Sequence, residues 1–449
     1  MSKKRLITAA VIASCAGATA AHAVDVGANT TVGGQVFFDF SNISDQQQAA
    51  NGTYSDVAPS GTGFDVKRLY LIVDHVFDDI WSADLTTDAQ YLNSTTAVTS
   101  VTLTCVNAAG ATAKPSSAGA CPAGYYVQSV GTGTAAVGTG NTGAAATGIT
   151  TNTKSTEVMV KKLYLQGKFD DALVVRVGSY DTPWISFSDG ITGHRYVDKS
   201  INDRLGFNTA DWGVNAAGSF GGSLLNYSFS ALNGGGYKNP SRSKHVDFEG
   251  LIDTRPVDWF VAGVGVYSGH LGQVTATNDS FPQNTVTRFN VLAGVVFSGF
   301  HLTGEYLNAK NYQTVNSVTA SVYGTSAIVA GSLTGTVPHD ELSGWSVTAS
   351  YDFNASWNVF ARYDDLDLSK DVAPNLKDKY FNVGVDYKPL KAIDVALVYK
   401  NEKVDNGTFA PGTADGNGSY TIGGVAGTPT AAPTDGKFGE VGIYVQWKF

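Results

Sequence analysis

The sequence predicts an all-β protein, a transmembrane antiparallel β-barrel of about 16 strands. Apolar and polar residues alternate with a period of two in segments of about 9 to 12 residues along most of the chain. Tight turns between these segments alternate with long polar loops. No apolar run approaches the about 18 to 20 residues that a membrane-spanning helix needs, so a bilayer would be crossed by strands.

The composition fits this class. Charged residues make up 15% of the 449 residues and glycine contributes 51 of them, against about 25% charged and about 7% glycine in an ordinary soluble domain. The aromatic content of 11% excludes wholesale disorder, and no Gly-X-Y period indicates collagen. The formal net charge of −9 argues against nucleic-acid binding, because that function needs a basic face.

The first residues have the order of a secretory signal peptide. Basic residues 3–5 precede a short apolar stretch, and residues 21–23 form an A-x-A cleavage site. We therefore expect residues 1–23 to be cleaved and residues 24–449 to form the barrel domain. Loss of three basic residues and no acidic one would move the net charge from −9 to −12. Cys15 leaves lipoprotein processing as an alternative.

The strands are predicted in order from the alternation, which is clearest in the last segment. There Val441, Ile443, Val445, Trp447 and Phe449 are apolar and the residues between them are mostly polar. The same pattern predicts strands that start near residues 32, 65, 80, 158, 173, 206, 223, 245, 258, 288, 300, 343, 356, 379, 392 and 438.

Two kinds of connection join these strands. Tight turns are predicted at Asp78-Asp79, Asp170-Asp171, Gly221-Gly222, Arg255-Pro256, Ser298-Gly299, Asn354-Ala355 and Pro389-Leu390-Lys391. Long loops are predicted at about 42–63, 92–157, 183–204, 233–243, 270–287, 311–341, 367–378 and 402–436. Strict alternation places all long loops at one end of the barrel. Aromatic residues beside the turns, such as Trp81, Phe297 and Trp357, predict a girdle at the membrane interface.

The loop at 92–157 is rich in Gly, Ala, Thr and Ser and is predicted to be long, external and flexible. Cys105 and Cys121 are the only cysteines after the signal peptide, and both lie in this loop. In an oxidising compartment they would form a disulfide, with two free thiols as the alternative.

These features resemble a sixteen-stranded Gram-negative porin: the signal peptide, the terminal aromatic Phe449 and the rhythm of turns and loops. Within that class, VGSYDTPW at 177–184 and NDRLG at 202–206 are similar to the phosphate-selective porin O and P family around its constriction loop. The resemblance implies a homotrimer in the cell outer membrane, surrounded by lipid and lipopolysaccharide. Its function would be passive diffusion of ions and small hydrophilic solutes.

The resemblance also implies that the third external loop folds inward and constricts the pore. Its charged residues carry both signs: Asp189, His194, Arg195, Asp198, Lys199, Asp203 and Arg204. That family builds its anion site from clustered arginines and lysines, an excess that this acidic chain does not show. A phosphate- or anion-selective porin is therefore the alternative rather than the first expectation.

Strand alternation predicts which charges line the lumen wall. Cations come from the second, fourth and fifth strands: Arg68, Lys162, Lys168 and Arg176. Anions come from the eleventh strand onward: Glu305, Asp352, Asp364, Asp386, Asp394 and Glu440. Opposite charges on two walls would create a transverse field across the pore. The overall acidity predicts weak ion selectivity in favour of cations.

We expect no enzymatic activity, no cofactor and no metal site, because neither G-x-S-x-G nor H-E-x-x-H occurs in the chain. The glycine-rich GVGVYSG from Gly263 lacks the third glycine of a dinucleotide loop and predicts strand packing toward the lipid. The remaining alternative is a non-conducting receptor or adhesin barrel whose external loops bind a partner. Electrical conductance distinguishes that protein from a porin.

Overall fold

The computed structural model describes residues 24–27, 29–49, 51–57, 60–97, 103–107, 112–113, 125–129, 150–240, 242–272, 285–312, 339–371, 374–409, 420–422 and 435–449. Sixteen antiparallel strands form a closed β-barrel, which confirms the predicted fold class. The predicted signal peptide, residues 1–23, lies outside the described residues and stays a prediction.

The barrel strands follow one another along the chain. They are β1 Thr30–Gln48, β2 Gly61–Val76, β3 Trp81–Ala97, β4 Thr150–Asp170, β5 Leu173–Asp181, β6 Ala210–Phe220, β7 Leu225–Leu232 and β8 Asp247–Val257. The second half comprises β9 Phe260–Gly269, β10 Val286–Phe297, β11 Phe300–Lys310, β12 Glu341–Asp352, β13 Trp357–Asp367, β14 Lys377–Leu390, β15 Ile393–Asp405 and β16 Gly436–Lys448. The ring closes where β16 pairs with β1, from Gln35 opposite Lys448 to Gln47 opposite Gly436.

Shorter strands accompany the barrel. Val24–Gly27 and Tyr54–Asp56 both pair with β1, and Gly407–Phe409 pairs with Tyr420–Ile422. A separate compact unit, Tyr91–Glu157, contains a small sheet in which Leu103–Asn107 pairs with Thr112–Ala113 and Tyr125–Ser129. Cys105 belongs to this sheet, whereas Cys121 lies outside the described residues, so their disulfide stays a prediction.

Most predicted turns lie where the sequence placed them. Ser298 and Gly299 form a two-residue hairpin with positive φ angles of 48° and 81°. This conformation matches the right-handed twist of the flanking strands. The structure corrects the turns predicted at Arg255-Pro256 and at Pro389-Leu390-Lys391. In both hairpins the chain continues as strand past the proline, and the reversal comes about two residues later.

A β-bulge explains both shifts. The register moves by one residue between Thr254 and Val257 on β8, and between Tyr387 and Leu390 on β14. Proline has no N–H to donate to the ladder, so a bulge accommodates it without ending the strand.

The two faces of the barrel differ in polarity. On β14, Phe381, Val383 and Val385 are exposed on the outer face, whereas Asn382 and Asp386 are buried on the inner face. Exposed aromatic residues cluster beside the turns: Phe77, Trp81, Phe169, Phe220, Trp259, Phe297, Phe300, Phe353, Trp357, Tyr387 and Trp447. An apolar outer surface with an interfacial ring of aromatic residues suits contact with lipid.

Two helices, α1 Pro183–Thr192 and α2 Ile201–Arg204, lie in the connection between β5 and β6. Neither of these described helices is long and apolar enough to cross a membrane. Pro183 starts α1 at the position where its missing N–H costs no helical hydrogen bond. Gly193, with a φ of 70°, ends the helix.

Candidate functional site

The connection of residues 182–209, here called the inner loop, packs against the inner face of the barrel. Its apolar side chains Ile185, Ile201 and Leu205 are almost completely buried. They belong to a cluster with inward side chains of neighbouring strands: Tyr267, Val286, Leu307, Leu342, Leu366, Val404 and Phe438. Burial of each such aliphatic side chain contributes about 1.5 to 3 kcal/mol, so this packing fixes the path of the loop.

Two glycines of β9 make room for the aromatic side chains of α1. A Cβ at Gly263 would lie 2.6 Å from the ring of Phe187, and a Cβ at Gly265 would overlap the ring of Trp184. The intervening Val264 and its neighbour Val266 are exposed on the outer face. The prediction that these glycines pack toward the lipid is therefore wrong. The period-two pattern was correct, but glycine has no side chain that shows which face it occupies.

Glu305 on β11 holds both helices of the inner loop. Its carboxylate accepts hydrogen bonds from Trp184 Nε1 at 2.8 Å, Ser188 Oγ at 2.7 Å and Asn202 Nδ2 at 2.6 Å. Glu249 on β8 accepts a further bond from the Trp184 backbone N–H at 2.9 Å. Glu305 was predicted as a lumen charge, and the structure gives this inward side chain a second task as an anchor.

Arg204 is a second anchor, at the end of α2. Its Nη1 lies 2.7 Å from Asp364, and its Nη2 lies 2.5 Å from Glu402 and 3.5 Å from Asp378. The guanidinium also lies over the ring of Tyr380, 4.0 Å from its centroid. Arg204 was expected to face the pore, but its side chain is 1% exposed. The prediction placed all charged residues of the loop in the pore, whereas Arg204 binds the loop to β13, β14 and β15.

Backbone carbonyl groups of the loop are held by cations of the wall. Arg362 Nη1 donates to the carbonyl of Lys199, and Lys400 Nζ donates to that of Val197 at 2.9 Å. Asp198 lies between Val197 and Lys199 in the sequence. Burial alone would raise its pKa, but Lys400, Arg204 and Arg362 lower it below the ordinary value.

Arg195 connects two carboxylates within the loop itself. Its Nε lies 3.0 Å from Asp189, and its Nη2 lies 2.5 Å from Asp203. Burial raises the pKa of Asp189, and the attraction of Arg195 offsets this only in part. The three predicted site residues therefore form one ion-paired group.

His194 and Tyr196 contact side chains of β13 and β14. The ring of His194 stacks on Phe360 with a centroid distance of 4.0 Å. Burial, with a contribution from nearby Lys388, lowers the pKa of His194 to about 4. Tyr196 donates its hydroxyl to Asp386 Oδ1 at 2.9 Å. His194 is thus a neutral side chain near neutral pH, not a cation of the pore.

Sequence reasoning missed two lumenal lysines. Lys67 is the extra residue of a bulge on β2, because Phe37 pairs with Arg68 and Phe38 with Val66. Lys67 then binds Asp39 at 3.1 Å. Lys67 and Arg68 are adjacent basic residues. Regular alternation would have turned one of them toward lipid, at a cost of about 2 to 4 kcal/mol near the bilayer centre.

The second missed residue is Lys161, which also stands in an adjacent basic pair. Lys161 and Lys162 both contact the carboxylate of Asp181, at 3.5 and 3.6 Å. Lys161 also lies over the ring of Tyr70, 5.2 Å from its centroid. For both lysines, the sequence signal was a pair of adjacent basic residues within a strand.

The remaining predicted wall residues occupy different surroundings. Arg176 donates to Gln166 at 2.7 Å and to Asn215 at 2.9 Å. Lys168 lies at a tight turn, where it pairs with exposed Asp171 at 2.9 Å. Arg68 lies 3.7 Å from Asp88 on β3. These cations are matched by nearby acids or amides rather than forming a bare positive wall.

A cavity of about 640 Å³ lies between the inner loop and the barrel wall. Its charged lining is of both signs: Lys161, Arg195, Lys388 and Lys448 with Asp181, Asp189, Asp352, Asp386 and Asp394. Tyr70 and Tyr196 contribute hydroxyl-bearing rings. Within the described ranges no group of three or more His, Cys, Asp or Glu side chains could hold a metal ion. The arrangement is suited to hydrated polar solutes.

Comparison with known proteins finds solved structures that resemble this chain in fold. No protein-family model matches the chain, and no curated protein matches it in sequence. The outer-membrane expressed OmpT of Vibrio cholerae is 12% identical, with a TM-score of 0.50 over 95% of this chain and 100% of that chain. The anion-selective porin from Comamonas acidovorans is 13% identical, with a TM-score of 0.50 over 94% of this chain and 99% of that chain. These likenesses show a shared barrel fold.

Proposed function

We propose that this protein is an outer-membrane porin, a water-filled channel for passive diffusion of ions and small hydrophilic solutes. The observation that carries the proposal is the cavity beside the inner loop, with charges of both signs inside a barrel whose outer face is apolar. A barrel of about sixteen strands is too wide for its own side chains to fill. Lipid and lipopolysaccharide would surround it, and the homotrimer stays a prediction from the family resemblance.

The inner loop would set the width of this channel. Glu305 and Arg204 join it to four strands of the wall: β11 through Glu305 itself, and β13, β14 and β15 through the partners of Arg204. A loop held by buried charges keeps a fixed position, so the channel would have a defined narrow section.

We expect purified protein in a planar bilayer to conduct and to show weak selectivity for cations. The charges of the cavity are nearly balanced, with five acids against four basic residues. Reversal potentials in a gradient of KCl measure this preference. A silent barrel would favour a receptor or adhesin instead. A strong preference for chloride would contradict the cation preference and favour the phosphate- or anion-selective alternative.

A further inference from the structure

Asp386, on the inner face of β14, has an unused hydrogen-bond acceptor. The residue is 1% exposed and lines the cavity beside the inner loop. Its Oδ1 accepts the hydroxyl proton of Tyr196, but Oδ2 accepts no hydrogen bond from the described part of the chain. A buried carboxylate oxygen without a donor is costly, so the site is suited to a donor supplied from outside.

The nearest cation is Lys388, which forms a long ion pair with each of its two acidic neighbours. Its ammonium lies 3.7 Å from Asp386 Oδ2 and 3.8 Å from Asp394 Oδ1, beyond hydrogen-bond distance. Lys388 stands in the bulge of β14 next to Pro389, and its side chain is 43% exposed. A tethered ammonium therefore occupies the space between two carboxylates, at distances longer than a hydrogen bond and on a partly exposed side chain.

Of the acidic residues near Lys388, Asp386 and Asp394 form the pair that is available to a solute. Asp352 is occupied by Asn358 Nδ2 at 2.7 Å and by His301 Nε2 at 3.1 Å. Asp394 accepts one hydrogen bond on Oδ2, from Gln446 at 2.5 Å. Its Oδ1 and the Oδ2 of Asp386 thus both face Lys388.

We propose that Asp386 and Asp394 form a subsite for the primary ammonium group of a solute, with Lys388 as a tethered competitor. A primary ammonium carries three N–H donors and makes charge-assisted hydrogen bonds with carboxylates. The solute is either a simple alkylamine or an amino acid, whose carboxylate would lie toward the basic side of the cavity. The inference rests on the proposed channel function for access to the site.

Calorimetric titration of the folded protein in detergent micelles tests this subsite without requiring conductance. Butylammonium should bind at least tenfold more tightly than tetramethylammonium, which has the same charge but no N–H donor. Asp386→Asn should weaken butylammonium binding at least tenfold, whereas Lys388→Met should strengthen it several-fold by removing the competitor. Titration with 5-aminovalerate distinguishes the two classes of solute. If it binds more tightly than butylammonium, the subsite is one for amino acids; if it binds more weakly, the subsite is one for simple amines.

A matched control removes the same charge elsewhere on the inner face. Asp253 on β8 is buried like Asp386 and accepts one side-chain hydrogen bond, from Asn226, but it does not line the cavity. Asp253→Asn should bind butylammonium as the wild type does. Equal binding by wild type and Asp386→Asn, or equal binding of the two ammonium probes to the wild type, would overturn the proposal. A conducting barrel that binds no probe refutes this subsite alone, whereas a silent barrel that binds butylammonium refutes the channel.

Discussion

Replacement of Arg204 by methionine is expected to destabilise the folded barrel by about 3 to 5 kcal/mol, because it leaves buried carboxylates without their cation. Asp364 and Asp378 have fully buried side chains, and that of Glu402 is 4% exposed. Denaturant unfolding in detergent, followed by tryptophan fluorescence, measures the change. We also expect larger and noisier single-channel currents, because the inner loop loses its attachment to three strands.

Three further variants make this prediction specific. Arg204→Lys keeps the charge but loses the planar guanidinium group with its several N–H donors, and should give an intermediate loss of stability. Arg204→Met combined with Glu402→Gln should regain part of the loss, because one uncompensated carboxylate is removed. Lys168→Met breaks an exposed ion pair with Asp171 and should cost less than about 1 kcal/mol. Equal unfolding midpoints for Arg204→Met and Lys168→Met would contradict the role of Arg204 as an anchor.

Acidification between pH 6.5 and about 4 is expected to remove about 3 kcal/mol of stability through His194 alone. Burial, with Lys388 as a second cause, lowers the pKa of His194 to about 4 from the ordinary value of 6.5. The unfolded chain therefore binds a proton in this range and the folded barrel does not. Stability from this group is complete above pH 6.5 and decreases as the pH falls toward 4.

His194→Gln isolates this contribution. Asp189 opposes it, because a raised carboxyl pKa favours the folded state on acidification. Asp198, with a lowered pKa, adds its own loss below its ordinary value. Both effects are shared by wild type and variant, so the difference between their unfolding free energies should change with pH through His194. A difference that is the same at pH 7 and pH 4.5 would show that His194 is not shielded from protonation.

The period-two alternation was enough to predict the barrel, because each strand separates lipid from lumen and one face must be apolar. It failed locally where the backbone departs from regular pairing. Pro256 and Pro389 were predicted as turns, but each lies in a bulge that precedes the reversal. The same irregularity turned Lys67 inward. Such shifts depend on the pairing partner, which a single segment of sequence does not contain.

The inner loop was located in the sequence, but the tasks of its charges were not. Asp189, Arg195 and Asp203 form a group within the loop, whereas Arg204 binds carboxylates about 160 to 200 residues away in the chain. Nothing near Arg204 in the sequence identifies those partners. Gly263 and Gly265 were misassigned for a related reason, since the rings that occupy their space come from a distant helix.

Exclusion of neutral solutes by size tests the central claim most directly: a hydrated passage runs through the barrel and the inner loop narrows it. Proteoliposome swelling should be fast with a pentose, slower with a disaccharide and absent with a large oligosaccharide. Arg204→Met should shift this limit toward larger solutes. Liposomes that remain impermeable to the pentose, although the folded protein is incorporated, would contradict the claim.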